Sequence, residues 1–270
     1  MRQTPFEFIN SHFNKQWNMD GSLTYHIFDF IMRAFSPYQF NPFNSNPLRQ
    51  VLEESVDFDE LKKCRKNKIF LSTTKVRTGK VRVFTTDEIT ADVVMASACL
   101  PQLFQAVKIG DDYYWDGGYM GNPALFPLFY HTDCRDLMII HINPLERDEL
   151  PKTSVGIANR LNEITFNSSL LKEMRAIAFV TKLIEQDWLK EEHRGKLKHL
   201  FMHSIRADKE LCRLSVASKF NADWHFLLYL RDLGRKAADS WLEENFEHIG
   251  NRSTVDLHEE FLDIGGEHVG

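Results

Sequence analysis

Apolar positions change period several times along this chain, and the changes mark out its elements. Between 5 and 34, Phe6, Ile9, Phe13 and Trp17, then Ile27, Phe30 and Ile31, recur at helical spacing. Met19-Asp20-Gly21-Ser22 separates two short helices there. Residues 36–46, rich in Pro and Asn, read as a loop that carries Tyr38, Phe40 and Phe43. Pro47 opens a helix through Val56 with Asn46 as its cap, and Asp57-Phe58-Asp59-Glu60 starts another. Residues 69–74 and 81–84 are β-rich and joined through Thr78-Gly79, a hairpin with Arg77, Lys80 and Arg82 toward water. Residues 89–100 read as a helix of small residues (Ala91, Ala96, Ser97, Ala98) that pack closely on a neighbour, and Pro101 ends it.

Further on, 137–142 is apolar on both faces, as in a central parallel strand, with His141 inside it as a core histidine. Beyond 150 long helices are expected. Ile157, Leu161 and Ile164 form one stripe. After a break near Asn167-Ser168-Ser169, Leu170, Met174, Ile177, Thr181, Ile184 and Trp188 form the next. Residues 198–205 fit a strand. As a helix they would set His199 and His203 at a metal-ligand spacing, but no third ligand accompanies them. Residues 222–246 form an amphipathic helix with the stripe Phe226, Leu230, Leu233, Ala237 and Trp241. The last stretch, 251–270, has little apolar content and reads as a tail.

One stretch organises the rest: Tyr113-Tyr114-Trp115-Asp116-Gly117-Gly118-Tyr119-Met120-Gly121-Asn122-Pro123. An aromatic strand ends in one carboxylate, and glycines follow that allow close approach or positive φ. Asn122-Pro123 reads as N-cap and first position of a helix. Asp116 is thereby expected at the end of a strand, beside a helix start, where α/β sheets bind ligands. The same pattern also describes an ordinary Asp-Gly turn.

Composition narrows the class. In 270 residues, 43% are hydrophobic and 26% charged, and the net charge of −5 gives no nucleic-acid footprint. Cys64, Cys99, Cys134 and Cys212 are scattered without a CxxC pair, which points to a reducing compartment and against a structural zinc site. The first residues lack an apolar signal core, and no apolar run reaches bilayer length. A cytoplasmic protein is expected, with contact to membrane surfaces. No phosphate-cradling glycine loop follows a first strand, which weakens a nucleotide-binding reading.

The residues Ala96-Ser97-Ala98-Cys99-Leu100-Pro101-Gln102-Leu103-Phe104, then Tyr114-Trp115-Asp116-Gly117-Gly118-Tyr119, then Asn122-Pro123, resemble the C-terminal half of patatin-like phospholipases. The 73–84 hairpin and Asp92 fit the same pattern, and the likeness runs from 47 to about 145. It implies a three-layer α/β/α sandwich, incomplete at its N-terminus, with a C-terminal helical extension. In domains this is 1–146 for part of the catalytic domain, 147–250 for helices packing on it and 251–270 for the tail. It further implies a serine hydrolase of lipid acyl esters that uses a Ser–Asp dyad, with no metal or organic cofactor. Asp116 matches the dyad aspartate, and Gly117 and Gly118 shape its turn.

The likeness also marks a gap. The family's nucleophile elbow, G-x-S-x-G, does not occur in this sequence, nor does a glycine-rich oxyanion loop. Gly21-Ser22 lacks the second glycine, Ser154 precedes Val155-Gly156 at a helix start, and Ser97 reads as a helix-packing residue. The chain thus looks like a patatin-like protein without its first segment. That segment, or a partner chain supplying it, is expected to be needed for solubility and for a complete site. The competing reading is a non-catalytic lipid-binding or scaffold protein derived from such a hydrolase.

Overall fold

The structure, a computed structural model, describes residues 17–147, 150–193 and 196–261. The expected helix through Phe6, Ile9 and Phe13 lies outside them, as does 262–270. In chain order the elements are α1 (Leu23–Ala34), α2 (Pro37–Phe40), α3 (Leu48–Ser55), α4 (Phe58–Lys63), β1 (Phe70–Lys75), β2 (Val81–Thr85), α5 (Ala91–Ser97), β3 (Val107–Ile109) and β4 (Asp112–Asp116). There follow α6 (Phe126–His131), β5 (Asp136–Ile140), α7 (Ser154–Glu185), β6 (Phe201–Ile205), α8 (Asp208–Leu211), α9 (Trp224–Asn245) and α10 (Leu257–Phe261). This is the α/β fold with C-terminal helices that the sequence leads one to expect.

The chain divides into two compact units. His26–His131 with Ser168–Leu170 form one, while the residues up to Tyr25, Thr132–Asn167 and those from Leu171 onward form the other. Position 147, the expected boundary, lies inside the second unit.

The first unit is an antiparallel sheet ordered β2-β1-β4-β3. Gly79 at φ +65° makes the β1–β2 turn and Gly110 at φ +60° the β3–β4 turn, conformations that glycine adopts without strain. Helix α5 begins where the Thr90 hydroxyl accepts from the Val93 N–H at 3.3 Å, and it lays its small residues on the sheet. Phe84, Val93, Ala96 and Tyr114 make the buried centre, with Phe84 and Tyr114 edge to face at 5.8 Å. The helix stops at Ser97, short of the expected Leu100, because the carbonyl of Cys99 turns away to accept the Asp116 N–H at 2.8 Å. Asn46 acts as expected, its Oδ1 taking the Leu48 N–H at 3.1 Å.

Asn122-Pro123 does not start a helix. Gly121 N–H closes onto the Gly117 carbonyl and Asn122 N–H donates to Ser169 Oγ at 3.0 Å, so these residues finish one turn before α6 begins at Phe126. The Asn122–Pro123 peptide is cis.

In the second unit β5 and β6 pair in parallel, Asp136 opposite Phe201 through Ile140 opposite Ile205. Leu137 and Ile139 are buried, whereas Met138 and Ile140 on the alternate face are exposed. No strand pairs with the other edge of β5 among the described residues. His141 follows the strand, its N–H on the Ile205 carbonyl at 3.0 Å, and burial pushes its imidazole down to about 4, so it is neutral at pH 7. Helix α7 runs unbroken through the expected break at Asn167-Ser168-Ser169. Its polar residues find tertiary partners instead of competing with the helix, Asn167 Nδ2 donating to the Pro144 carbonyl at 3.0 Å. Glu163, on the same helix, is buried between Arg147 (2.8 and 2.5 Å) and Arg160 (3.3 Å).

The expected strand over 198–205 is β6, so His199 and His203 are not a helical pair. His203 is buried, with Nε2 3.1 Å from Asp136 Oδ1 and Nδ1 3.1 Å from Thr254 Oγ1. Gly250 N–H donates to the same Asp136 oxygen at 2.7 Å, and the N–H of Thr254 donates to the Met202 carbonyl at 2.9 Å. This network ties 250–255 to β6. Val255, Leu257 and Phe261 are buried, so the described part of the expected tail packs into the unit. Three apolar side chains in alternating polar company are too few to register as a stripe, yet enough to seat a short helix.

Burial alone would raise the Asp136 carboxyl, but the Gly250 N–H and His203 hold it below the ordinary range. A carboxylate depressed in the fold contributes stability above its unfolded pKa, about 3.9, and loses it as pH falls through the folded value. Asp136→Asn should therefore flatten the acid limb of stability below about pH 4, read by circular dichroism against pH. Glu163→Ala, which strands two partly buried guanidinium groups, should lower urea-unfolding stability by about 3 kcal/mol.

Candidate active site

Asp116 is the last residue of β4, paired with Thr73 of β1 in the middle of the antiparallel sheet. Three hydrogen bonds fix its place. Its N–H donates to the Cys99 carbonyl at 2.8 Å, its carbonyl accepts from Thr74 Oγ1 at 2.8 Å, and its Oδ1 accepts from the Gly118 N–H at 2.7 Å. The other carboxylate oxygen has no hydrogen-bond partner among the described residues. The strand's alternation sets Asp116 on the face of Tyr114, and Trp115 on the opposite one.

The glycines have distinct jobs. A Cβ on Gly117 would stand 2.1 Å from the Ser72 carbonyl oxygen and 2.4 Å from Ser72 Oγ, so only glycine lets the turn close on β1. A Cβ on Gly121 would meet Ala124 Cβ at 2.7 Å. Gly118 supplies the N–H that orients the carboxylate, in a short 3-10 turn over Gly117–Tyr119. Ser72, which no motif picks out, closes the other side by donating to the Gly121 carbonyl at 3.2 Å. Only the antiparallel pairing of β1 with β4 brings it here, and sequence spacing does not encode that pairing.

The surroundings are half dry. Burial raises the Asp116 carboxyl above its ordinary value, and the Gly118 N–H opposes that in part. Cys99 is buried alongside, its thiol pushed up to about 11 by burial, with the nearby Asp116 charge adding to it. A thiol with that value stays protonated at neutral pH. Burial also raises the Tyr119 phenol, whose hydroxyl lies 3.3 Å from Gln102 Oε1. Asp92, the second carboxylate in the resemblance, is taken up by Arg49 at the start of α3.

Ser97 ends α5, Ser154 begins α7 behind the Thr153 cap, and Ser22 Oγ lies 2.6 Å from Thr24 Oγ1. No hydroxyl group hydrogen-bonds to either Asp116 carboxylate oxygen among the described residues. Nor do three or more His, Cys, Asp or Glu side chains gather into a metal-holding group among them.

A comparison with curated proteins finds no match. A family model described as patatin-like phospholipase matches residues 6–129, which include β1 to β4, Asp116 and its glycine turn. That family generally hydrolyses lipid esters. Over residues 6–129, a little under half of its length, the chain is similar to the patatin-like phospholipase family.

Proposed function

We propose that this chain forms part of a serine lipid acyl hydrolase in which Asp116 is the base of a Ser–Asp dyad. The supporting observation is the carboxylate itself. One oxygen is fixed by the Gly118 N–H, the other is open, and burial raises its proton affinity. An ordinary aspartate, with pKa about 3.9, takes a hydroxyl proton poorly, and partial drying shifts it in the useful direction. In the proposed step a serine hydroxyl gives its proton to the open oxygen while its oxygen attacks the ester carbonyl, forming the acyl-enzyme and releasing the alcohol. The serine is not among these residues in a G-x-S-x-G setting, so the proposal places it on a segment or partner outside this sequence. A cytoplasmic location belongs to the same proposal.

A lipid surface is the expected ground for this chemistry. Leu23, Ile27 and Phe30 fall at i, i+4 and i+7 along α1 and are exposed, an apolar stripe of the kind that settles into a bilayer interface. No described helix is long and apolar enough to cross a membrane. A second reading, a lipid-binding scaffold without catalysis, draws on the absence of the elbow motif from the 270 residues.

The reading frame preceding Met1 separates the two. A strand followed by G-x-S-x-G there, in a product that cleaves a short-chain nitrophenyl ester, supports the hydrolase; a closed frame selects the scaffold. In the active product Asp116→Asn should lower kcat by about 10³-fold, and hydrolysis that survives the change removes Asp116 from the mechanism. Because the base must be ionised and its carboxyl is raised, kcat/KM should fall on the acid side at a pH above about 4. Gly117→Ala should lower stability by about 1–3 kcal/mol through its clash with the Ser72 carbonyl, measured by thermal melting. Phe30→Asp should weaken sedimentation with anionic vesicles while leaving the melting temperature unchanged.

A further inference from the structure

The α9 stripe does not close on a core. Phe226 at one end and Trp241 at the other are buried, but Leu230, Leu233 and Ala237 between them are only half-buried and line a cavity of about 440 Å³. That volume falls in the range of small-molecule sites, roughly 300–1,000 Å³. The opposite wall comes from the ends of β5 and β6, with Ile140, Ile142 and Ile205, and from Leu211, Leu214 and Val216. The carboxyl ends of parallel strands are where such folds commonly place ligands. All of these residues lie outside the 6–129 family match.

The polar groups on the wall are few and mostly engaged. Glu163 is held by Arg147 and Arg160. Arg206 donates to Ser204 Oγ at 2.8 Å and pairs with Glu260. His141 is neutral at pH 7. Two groups stand apart, both from the segment leading into α9. Lys219, open to water on one side, donates to Asn143 Oδ1 at 2.9 Å and has no carboxylate within ion-pair distance among the described residues. Ser215 Oγ is enclosed and has no hydrogen-bond partner among the described residues.

We infer that this cavity binds a single-chain amphiphile with one anionic head, a fatty acid carboxylate. Its alkyl chain would lie along Leu230, Leu233 and Ala237, and its head would accept from the Lys219 ammonium. The inference goes beyond the Asp116 reading and does not depend on it.

Gly234 offers a clean test. It lines the cavity, it is helical, and a Cβ there meets nothing within 4 Å, so a larger side chain enters the space without a backbone clash. Laurate binding to the whole chain is measured by isothermal titration, with 1-dodecanol as the uncharged counterpart. Saturable laurate binding is expected, at least tenfold tighter than dodecanol. Lys219→Glu should remove that preference and leave dodecanol binding unchanged. Gly234→Phe should abolish binding of both while the melting temperature holds or rises. Asp116→Asn should bind laurate as the parent does, which separates this site from the proposed dyad. No saturable laurate binding below about 1 mM, equal affinity for the two ligands, or binding that survives Gly234→Phe overturns the inference.

Discussion

The contact on which the first unit turns is the closure of Gly117 against the backbone of Ser72. β1 and β4 pair antiparallel, and at the end of that pairing the chain must bend within one residue to free a carboxylate from the sheet. Any side chain at Gly117 would overlap the Ser72 carbonyl, so the bend exists only because the position has no Cβ. From this closure follow the Gly118 N–H aimed at Asp116 Oδ1, the Thr74 hydroxyl on the Asp116 carbonyl, and the Cys99 carbonyl on the Asp116 N–H. Sheet, turn and the stretch just after α5 each hold one corner of a single residue. Among the described residues the carboxylate is oriented by the Gly118 N–H rather than by an arginine, and burial raises its proton affinity against that hydrogen bond.

The second unit rests on a different device. Its two-stranded parallel sheet is fastened along β6 by the stretch 250–255, through His203, Asp136 and the Met202 carbonyl. A buried histidine with a partner on each ring nitrogen joins β5, β6 and the C-terminal stretch. Glu163 with its two arginines does the same for α7 and the loop after β5. These groups are polar yet structural, and because 201–205 is a strand His199 and His203 do not share a helical face.

Much of this was legible in the residues, for physical reasons that differ by element. The hairpin over β1 and β2, the small-residue helix α5 and the amphipathic α9 announce themselves by period and by glycine, because each meets its environment along a single face. The position of Asp116 at a strand end was readable from the aromatic strand and the glycines after it. What escaped depends on partners distant in sequence. The continuity of α7 through Asn167 requires the Pro144 carbonyl, the course of Asn122 requires Ser169, and Ser72 matters only through the register of β1 on β4. The period of α9 reports which of its faces is apolar, not whether another surface fills the space opposite.

The outer edge of β5 has one more implication. Along Asp136–Ile140 the single charged side chain is tied to His203 and Gly250, and Met138 and Ile140 stand exposed beside backbone groups that no described strand pairs. Proteins commonly guard such borders with lysine, proline or a bulge, and none of these is present in the strand. An unguarded border of this kind offers its free backbone groups to any further extended segment that adds to the sheet.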